Sequence, residues 1–274
     1  MVKIFLGLLT CDSAELGLLP RFWDSFNRWT PPAVRSAIDV FWIDNNSVLD
    51  TTRTLMERSL LEAGVRVVGK EFWTENTGIV KPRNHMLKFA MRNVATYDWL
   101  VLANEDLVFE GDWIAAAEDA FSWHLKNGRV TIQDNTSGTP TARGAVEDCG
   151  GIFWILRPAM VQEIGLIHTK FTWLMQDIEY SRRIYDWGWR TVLMRPPHVI
   201  RHAHVRRQRA EQEFPPAARI DNFLGSLLLQ HVNSWHLWRT RRDYLDPRMD
   251  TTNSEAFLSP GDASFARIDE VDYA

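Results

Sequence analysis

Apolar segments of strand length alternate with helix-like segments through the first half of the chain. Continuous apolar runs, which are typical of strands buried on both faces of a sheet, predict strands over residues 4–9, 39–43, 65–68 and 99–103. The spacing of apolar residues around these runs predicts helices over residues 15–29, 51–63, 82–94 and 113–126. This order predicts an α/β protein with a Rossmann-like, mostly parallel sheet and helices on both of its faces.

The second half of the chain has a less regular pattern. Strands are predicted over residues 130–133, 152–156, 190–194 and 199–201, and helices over residues 158–164 and 175–187. A stretch rich in Thr, Ser and Gly, residues 135–148, is predicted to be a loop. Helical spacing returns over residues 219–244 before a polar, acidic tail. We therefore predict one α/β domain over residues 1–210 and a C-terminal helical extension with a polar tail over residues 211–274.

Polar residues stand directly after three of the predicted parallel strands. They are Thr10, Cys11 and Asp12; then Asp44, Asn45 and Asn46; then Asn104, Glu105 and Asp106. Ligands of doubly wound sheets bind beyond the carboxyl ends of the strands, so these residues are expected to lie along one edge. Asp and Asn also favour ordinary turns, which is the plainer interpretation of each group.

Two acidic motifs and a group of histidines have the composition of a catalytic metal site. The segment ANED, residues 103–106, offers oxygen ligands for a divalent cation that can bridge a diphosphate. Asp177 stands in an aromatic context, where a carboxylate can act as general base toward a hydroxyl or can simply cap a helix. His202 and His204 share one face of a predicted strand, so either is a possible metal ligand or a structural residue.

Taken together, these segments resemble the family 2 glycosyltransferases, particularly their rhamnosyltransferase-like branch. The similar segments are DNNS at 44–47, ENTGIVKPRNHML at 75–87, LVLANEDLVFEGDWI at 100–114, GGIFWILRPAMVQEIGLI at 150–167 and QDIEYSRRIYDWGWR at 176–190, followed by His202. No single segment is specific to the family, but their order and rough spacing hold over residues 3–206.

The resemblance implies a GT-A fold and an inverting, metal-dependent transfer from a nucleotide-sugar donor, with a UDP-sugar as the default and Mn²⁺ or Mg²⁺ as the metal. By matching position, it assigns the metal to Asp106 and His202 and the catalytic base to Asp177. It assigns the nucleotide to Asp44 and Asn46. Thr10, Asn76, Arg83 and Asn104 are further candidate donor-binding residues, and either Arg83 or Arg157 is a candidate for adding positive charge at the phosphates. Glu105 and His204 are left open as further metal ligands.

Two positions depart from the family pattern and support an alternative function. Asn104 stands where the family has an acid, and Gln176 stands where it has a Glu before the base. A nucleotide-sugar or glycan-binding module that has lost turnover is therefore a second interpretation. A nucleotidyltransferase is a third, although it is expected to carry a Gly-rich, basic loop after the first strand, which this sequence lacks.

The amino-acid composition limits the classes of partner that are expected, but it does not identify the acceptor. The formal net charge of −4 argues against broad binding of nucleic acid, although residues 201–209 are locally basic. Two cysteines without ligand spacing predict a reducing, cytoplasmic location. The predicted C-terminal helix suits either docking on its own domain or peripheral membrane contact. The acceptor is left open among a saccharide, a lipid-linked sugar, a protein and a modified nucleic-acid base.

Overall fold

The computed structural model describes residues 2–11, 17–48, 50–132, 150–169, 176–195 and 199–203, and the backbone alone at 136–137, 145–146 and 148–149. The helices of these residues are α1 (Leu18–Trp29), α2 (Pro32–Arg35), α3 (Asp50–Ala63), α4 (Val80–Arg92), α5 (Trp113–Ser122), α6 (Pro158–Ile164) and α7 (Gln176–Asp186), with a 3-10 helix at Val94–Thr96. The strands are β1 (Ile4–Thr10), β2 (Ile38–Asn45), β3 (Arg66–Trp73), β4 (Trp99–Asn104), β5 (Leu107–Phe109), β6 (Asn127–Thr131), β7 (Thr136–Ser137), β8 (Ala145–Val146), β9 (Asp148–Cys149), β10 (Phe153–Leu156), β11 (Arg190–Leu193) and β12 (Ile200–His202).

Eight of these strands form one mixed sheet in the order β3-β2-β1-β4-β10-β6-β11-β8. The pairs β3–β2, β2–β1, β1–β4 and β6–β11 are parallel, as the alternation of strands and helices predicts. In contrast, β10 runs antiparallel to both β4 and β6. The connection from β6 to β10 contains no predicted crossover helix, and a parallel neighbour needs such a crossover. The sheet is therefore mostly parallel with an antiparallel strand near its centre.

Helices cover both faces of the sheet, and one hydrophobic cluster lies on each face. In β1, Ile4 and Leu6 belong to a cluster with α1, α3 and α5, whereas Phe5 and Leu9 belong to a cluster with α4, α6 and α7. All seven residues of β1 are buried. Because both faces of this strand are covered, its sequence is a continuous apolar run instead of an alternating one.

A second, two-stranded sheet holds the end of the described chain against the end of β4. Strands β5 and β12 pair antiparallel, with Leu107 opposite His202. The backbone N–H of Ala203 also donates to the carbonyl of Asp106 over 2.7 Å. The sequence predicted β12 but not β5, because a three-residue strand directly after a polar turn carries almost no periodic signal. This pairing brings His202 to the polar turn after β4.

Several predicted boundaries differ from the structure. β3 extends well past the predicted residues 65–68, because its exposed edge position admits polar residues that do not resemble a buried strand. The predicted loop 135–148 contains β7, β8 and the start of β9. The predicted helix over residues 219–244 and the tail lie outside the described residues, so the domain boundary at 210 stays a prediction. None of the described helices is long and apolar enough to cross a bilayer.

Candidate active site

The carboxyl ends of β2, β1 and β4 meet at one edge of the sheet, which we call the rim and define as residues 10–11, 44–47 and 104–106. The strand register places Thr10 beside Asp44 and Leu9 beside Asn104. The backbone N–H of Cys11 donates to Glu105 Oε1 over 3.4 Å. The polar residues after the three strands are thus neighbours, as their positions in the sequence predict. Asp12 lies outside the described residues.

Two predicted donor residues lie beneath the surface of the rim. Thr10 is fully buried, and its hydroxyl accepts a hydrogen bond from Trp42 Nε1 over 2.9 Å. Asp44 is also fully buried; its Oδ1 accepts from the N–H and hydroxyl of Ser47, and its Oδ2 accepts from Arg53 Nε over 2.7 Å. Direct contact between Asp44 and a nucleotide therefore requires this carboxylate to exchange partners.

Arg53 of α3 contacts the rim through Asp44, and the sequence did not indicate this role. Its side chain is 30% exposed while Asp44 anchors it, and its guanidinium carbon lies 4.9 Å from the Phe72 ring centroid. A cation with one buried anchor and a partly exposed guanidinium can contact an anionic or aromatic ligand above it. Its position nine residues after Asp44, one turn into α3, gave no recognisable motif.

Asn45 fixes the loop that precedes α4 and carries Asn76. Its Nδ2 donates to Asn76 Oδ1 and to the Gly78 carbonyl, both over 2.8 Å, and its Oδ1 accepts from the Thr77 N–H over 3.1 Å. Asn76, which is exposed, in turn donates to Cys11 Sγ over 3.5 Å. The neighbouring Asn46 has a φ of 66°, in the left-handed region that Asn tolerates better than most residues. Asn46 and Asn76 are therefore held at the rim by backbone geometry and by Asn45.

A cleft of about 400 Å³ opens beside this loop, between β3 and α4. Its walls include Trp73, Thr77 and Lys81. At its base Glu71 accepts a hydrogen bond from Trp73 Nε1 over 2.9 Å, and the other Glu71 oxygen lies 2.8 Å from His85 Nε2. Because Thr77 contacts both Asn45 and this cleft, the loop that carries Asn76 separates the cleft from the rim.

Asp106 and His202 form a side-chain pair at the turn between β4 and β5. Asp106 Oδ2 lies 2.8 Å from His202 Nε2, and each side chain is 12% exposed. Asp106 Oδ1 is buried and has no hydrogen-bond partner among the described residues. A buried carboxylate oxygen without a partner is costly, and a bound cation would satisfy it.

This pair fits a divalent metal ion. Carboxylate oxygen and imidazole nitrogen are both ligands of Mn²⁺, and the unpartnered Oδ1 offers it a free lone pair. The part of the chain that the structure describes contains no cluster of three or more His, Cys, Asp or Glu side chains suited to a metal. From the described residues, Asp106 and His202 would be the two ligands, and oxygens of a diphosphate or of water are further candidates. Glu105 is buried and bonded to Cys11, and His204 lies outside the described residues.

Arg83 lies buried between the rim and the start of α7. Its Nη2 donates to Asn104 Oδ1 over 3.1 Å and to the Gly151 carbonyl, and its guanidinium carbon lies 5.1 Å from the Trp154 ring centroid. A Cβ built on Gly151 would lie 2.9 Å from Arg83 Nη1 and 3.1 Å from Gln176 Nε2. Only glycine therefore lets these side chains approach the backbone without displacement.

The two departures from the family pattern both lie next to Arg83. Asn104 accepts a hydrogen bond from its guanidinium, and the Gln176 amide lies against the same glycine. Amides at these positions contribute no negative charge beside the arginine, which suits a site for an anionic group.

Arg157, the alternative phosphate-binding residue, lies at the opposite edge of the sheet. Because β10 is antiparallel to β4, its last residue, Leu156, pairs with Leu100 near the amino end of β4. The Arg157 side chain donates to the backbone carbonyls of Asn127 and Phe121 over 2.8 and 2.9 Å. This position, away from the rim, contradicts the assignment of phosphate binding to Arg157.

Asp177, the predicted base, is the second residue of α7 and is half-buried. Its Oδ1 accepts from the Ile178 N–H over 3.0 Å. Burial raises the pKa of Asp177, while this backbone hydrogen bond and the positive charges of Arg129 and Arg83 oppose the rise. A carboxylate with a raised pKa is a better proton acceptor than an ordinary aspartate. Arg83 thus hydrogen-bonds with the strand end that leads to Asp106, and its charge also acts on Asp177.

The fold is that of the GT-A glycosyltransferases, as the resemblance implies. TarS 1-349 from S. aureus superposes with a TM-score of 0.52 at 15% identity, over 71% of this chain and 58% of that one. GalNAc-T7, solved with UDP, GalNAc and Mn²⁺, gives 0.58 at 12% identity over 74% of this chain and 43% of that one. The mannosyltransferase PcManGT from Pyrobaculum calidifontis, in complex with GDP-Man and Mn²⁺, gives 0.52 at 16% identity over 93% of this chain and 77% of that one.

At these sequence identities, the comparisons show similarity of fold and nothing further. The match spans little more than half of the TarS 1-349 chain. No protein-family profile matches the sequence, and no curated protein is recognisably similar to it. The rhamnosyltransferase-like branch and the site assignments stay predictions.

Proposed function

We propose that this protein is a metal-dependent glycosyltransferase that moves a sugar from a nucleotide-diphosphate sugar to an acceptor hydroxyl with inversion. The observation that carries the proposal is the buried, unpartnered Oδ1 of Asp106 beside His202, at the ligand-binding edge of a GT-A fold. The similar structures bind donors of this kind: TarS 1-349 was solved with UDP, and PcManGT with GDP-Man and Mn²⁺.

The residues of the site form two groups, one that binds the donor and one that acts on the acceptor. The cation, when bound, offsets the charge of the leaving diphosphate. Arg83 adds a second positive charge beside Asn104, at the end of β4. Asn46 and Asn76 position the nucleotide at the rim, and the partly exposed Arg53 contacts it above Asp44.

Asp177 acts on the acceptor. The Ile178 N–H donates to Oδ1 of its carboxylate over 3.0 Å. The carboxylate takes the proton of the acceptor hydroxyl. The acceptor oxygen then forms a bond to the anomeric carbon while the bond from that carbon to the phosphate oxygen breaks. A single displacement of this kind inverts the anomeric centre.

The donor and acceptor are proposed only as chemical classes. We propose a UDP-sugar as the default donor, with GDP-sugars as the alternative that PcManGT suggests. The acceptor is a hydroxyl of a saccharide, a lipid-linked sugar, a protein or a modified nucleic-acid base. We also propose a cytoplasmic location, on the basis of the two cysteines without ligand spacing.

The proposal is tested with a panel of UDP- and GDP-sugars in the presence of Mn²⁺, Mg²⁺ or a chelator. Two readouts are needed: the melting temperature, which rises when a donor binds the folded state, and the nucleotide diphosphate released by transfer to water. Metal-dependent release that Asp177→Asn abolishes supports the transferase. A rise in melting temperature without any release supports the non-catalytic binding module that Asn104 and Gln176 suggest. No response of either readout to any donor contradicts both functions.

A further inference from the structure

A fully buried arginine lies behind Asp177 and belongs to no motif of the sequence. Arg129 of β6 is 0% exposed. Its Nε donates to Thr191 Oγ1 over 3.1 Å, its Nη2 donates to Ser181 Oγ, and its guanidinium carbon lies 5.0 Å from the Trp154 ring centroid. These contacts connect β6, β11 and α7.

The contact with Ser181 continues to the first turn of α7. Ser181 Oγ donates to the backbone carbonyl of Asp177 over 2.6 Å. Arg129 therefore holds the backbone of Asp177 through one hydroxyl, without a hydrogen bond to the Asp177 carboxylate itself.

Hydrogen bonding alone does not explain an arginine at this position. Arg129 Nη1 is buried and has no partner among the described residues, and no described carboxylate forms an ion pair with the guanidinium. A buried charge is costly unless an opposite charge or a full set of hydrogen bonds compensates it. A neutral side chain could supply the same two hydrogen bonds without that cost. The negative charge that Arg129 does affect is that of Asp177.

We infer that Arg129 is a positioning residue for the proposed base: it fixes the first turn of α7 through Ser181 and supplies the positive charge that keeps the Asp177 carboxylate ionised. This role rests on the proposed function of Asp177. Among the described residues, the cations whose charge acts on Asp177 are Arg129 of β6 and Arg83 of α4, and its own helix contributes the Ile178 N–H. Arg83 also contacts the rim, so Arg129 is the cation whose effect on Asp177 can be tested separately.

The test is a ¹³C NMR titration of the Asp177 carboxyl carbon, whose signal is assigned by its loss in Asp177→Asn. Three variants are compared with the wild type: Arg129→Gln removes the charge but can still donate, Arg129→Lys keeps the charge, and Thr191→Val removes only the bond to β11. We expect Arg129→Gln to raise the titration midpoint by roughly one pH unit or more, because an opposite charge nearby lowers a carboxyl pKa by about that much. Arg129→Lys and Thr191→Val should stay near the wild-type midpoint.

Equal midpoints in the wild type and folded Arg129→Gln would overturn the inference. If Arg129→Gln does not fold, Arg129→Met in the presence of a stabilising osmolyte replaces it, with the same criterion. The pH profile of sugar transfer gives the second readout: in Arg129→Gln the acidic limb should move to higher pH, with activity recovering at alkaline pH. A purely structural role would lower activity equally at all pH values. Because the NMR midpoint needs no turnover, failure of the proposed function and failure of this inference are distinguishable.

Discussion

Arg83 donates a hydrogen bond over 3.1 Å to the side-chain oxygen of Asn104, and so joins α4 to the end of β4 two residues before Asp106. The partner is an amide where the resembling family has an acid. An amide accepts the bond without adding a negative charge next to the guanidinium. The departure at position 104 is therefore consistent with a site that binds phosphate.

Asn104→Asp should weaken the binding of a nucleotide diphosphate without metal. The new carboxylate would pair with Arg83 and cancel part of the charge that faces the phosphates. We expect the dissociation constant of UDP or GDP to rise roughly tenfold, or ~1.4 kcal/mol, in titration calorimetry with a chelator present. Asn104→Ser, which keeps a neutral acceptor, serves as the control. Tighter binding by Asn104→Asp under these conditions would contradict the role of Arg83.

Asp106→Asn and His202→Ala should each remove metal-dependent donor binding. Asparagine keeps the shape of the side chain at 106 but lacks the charge that the cation requires. We expect Mn²⁺ affinity in the presence of UDP to fall by about two orders of magnitude, or ~3 kcal/mol, when followed by the electron paramagnetic resonance of free Mn²⁺. Arg201→Ala, one residue before His202 and paired with Glu110 on the surface, is the matched control and should bind as the wild type does. Unaltered Mn²⁺ binding in both site variants would exclude this pair as the metal site.

Asp177→Asn should abolish transfer and leave donor binding intact. Loss of a general base typically lowers kcat by about 10²- to 10⁴-fold. Wild-type activity should fall as the pH drops through the pKa of Asp177, which burial raises above the usual aspartate range. Single-turnover rates over a pH series measure both effects, and a variant with near-wild-type turnover would remove the assignment.

The same substitution should stabilise the fold at neutral pH. Because the pKa of Asp177 is raised in the folded state, its ionised form opposes folding at pH values above the unfolded pKa. Asp177→Asn removes that opposing charge, so we expect the melting temperature to rise by about 2–4 °C. The gain should vanish when the pH falls below the usual aspartate range, where the wild-type side chain is neutral in both states. A gain that is independent of pH would have another cause.

Gly151→Ala should damage the site more than the fold. The added Cβ would lie 2.9 Å from Arg83 Nη1, and Arg83 is held in place by Asn104. We expect a loss of roughly tenfold or more in kcat/KM with a small change in melting temperature. In the background of Arg83→Ala the same substitution should cost little further activity, since the clashing group is gone. Additive losses in this double-mutant cycle would show that the alanine acts elsewhere.

The sequence predicted the parts of the fold whose residues are buried on both sides. Strands β1, β2 and β4 were recognisable because every position in their apolar runs faces a helix. β5 was missed because three residues after a polar turn have no periodicity. The reversed direction of β10 was missed because a buried apolar run has the same appearance in either direction.

Only those residues of the candidate site that belong to recognisable sequence motifs could be predicted. Asp106, His202 and Asp177 were predicted from the acidic motifs, the histidine group and the family resemblance. Arg53 was missed because it belongs to no motif, and Arg129 because its partner Ser181 lies 52 residues away in sequence. The position of Arg157 depends on the direction of β10, which an apolar run does not indicate.

The short sheet of β5 and β12 has a practical consequence for shortening the protein. One proposed metal ligand comes from the turn after β4, and the other arrives nearly a hundred residues later on β12, where the Asp106 carbonyl also receives the Ala203 N–H. A truncation before residue 200 would leave the large sheet whole but remove His202, one of the two proposed metal ligands among the described residues. A minimal active fragment must therefore extend through Ala203, although the hydrophobic clusters on the two sheet faces are largely complete before that point.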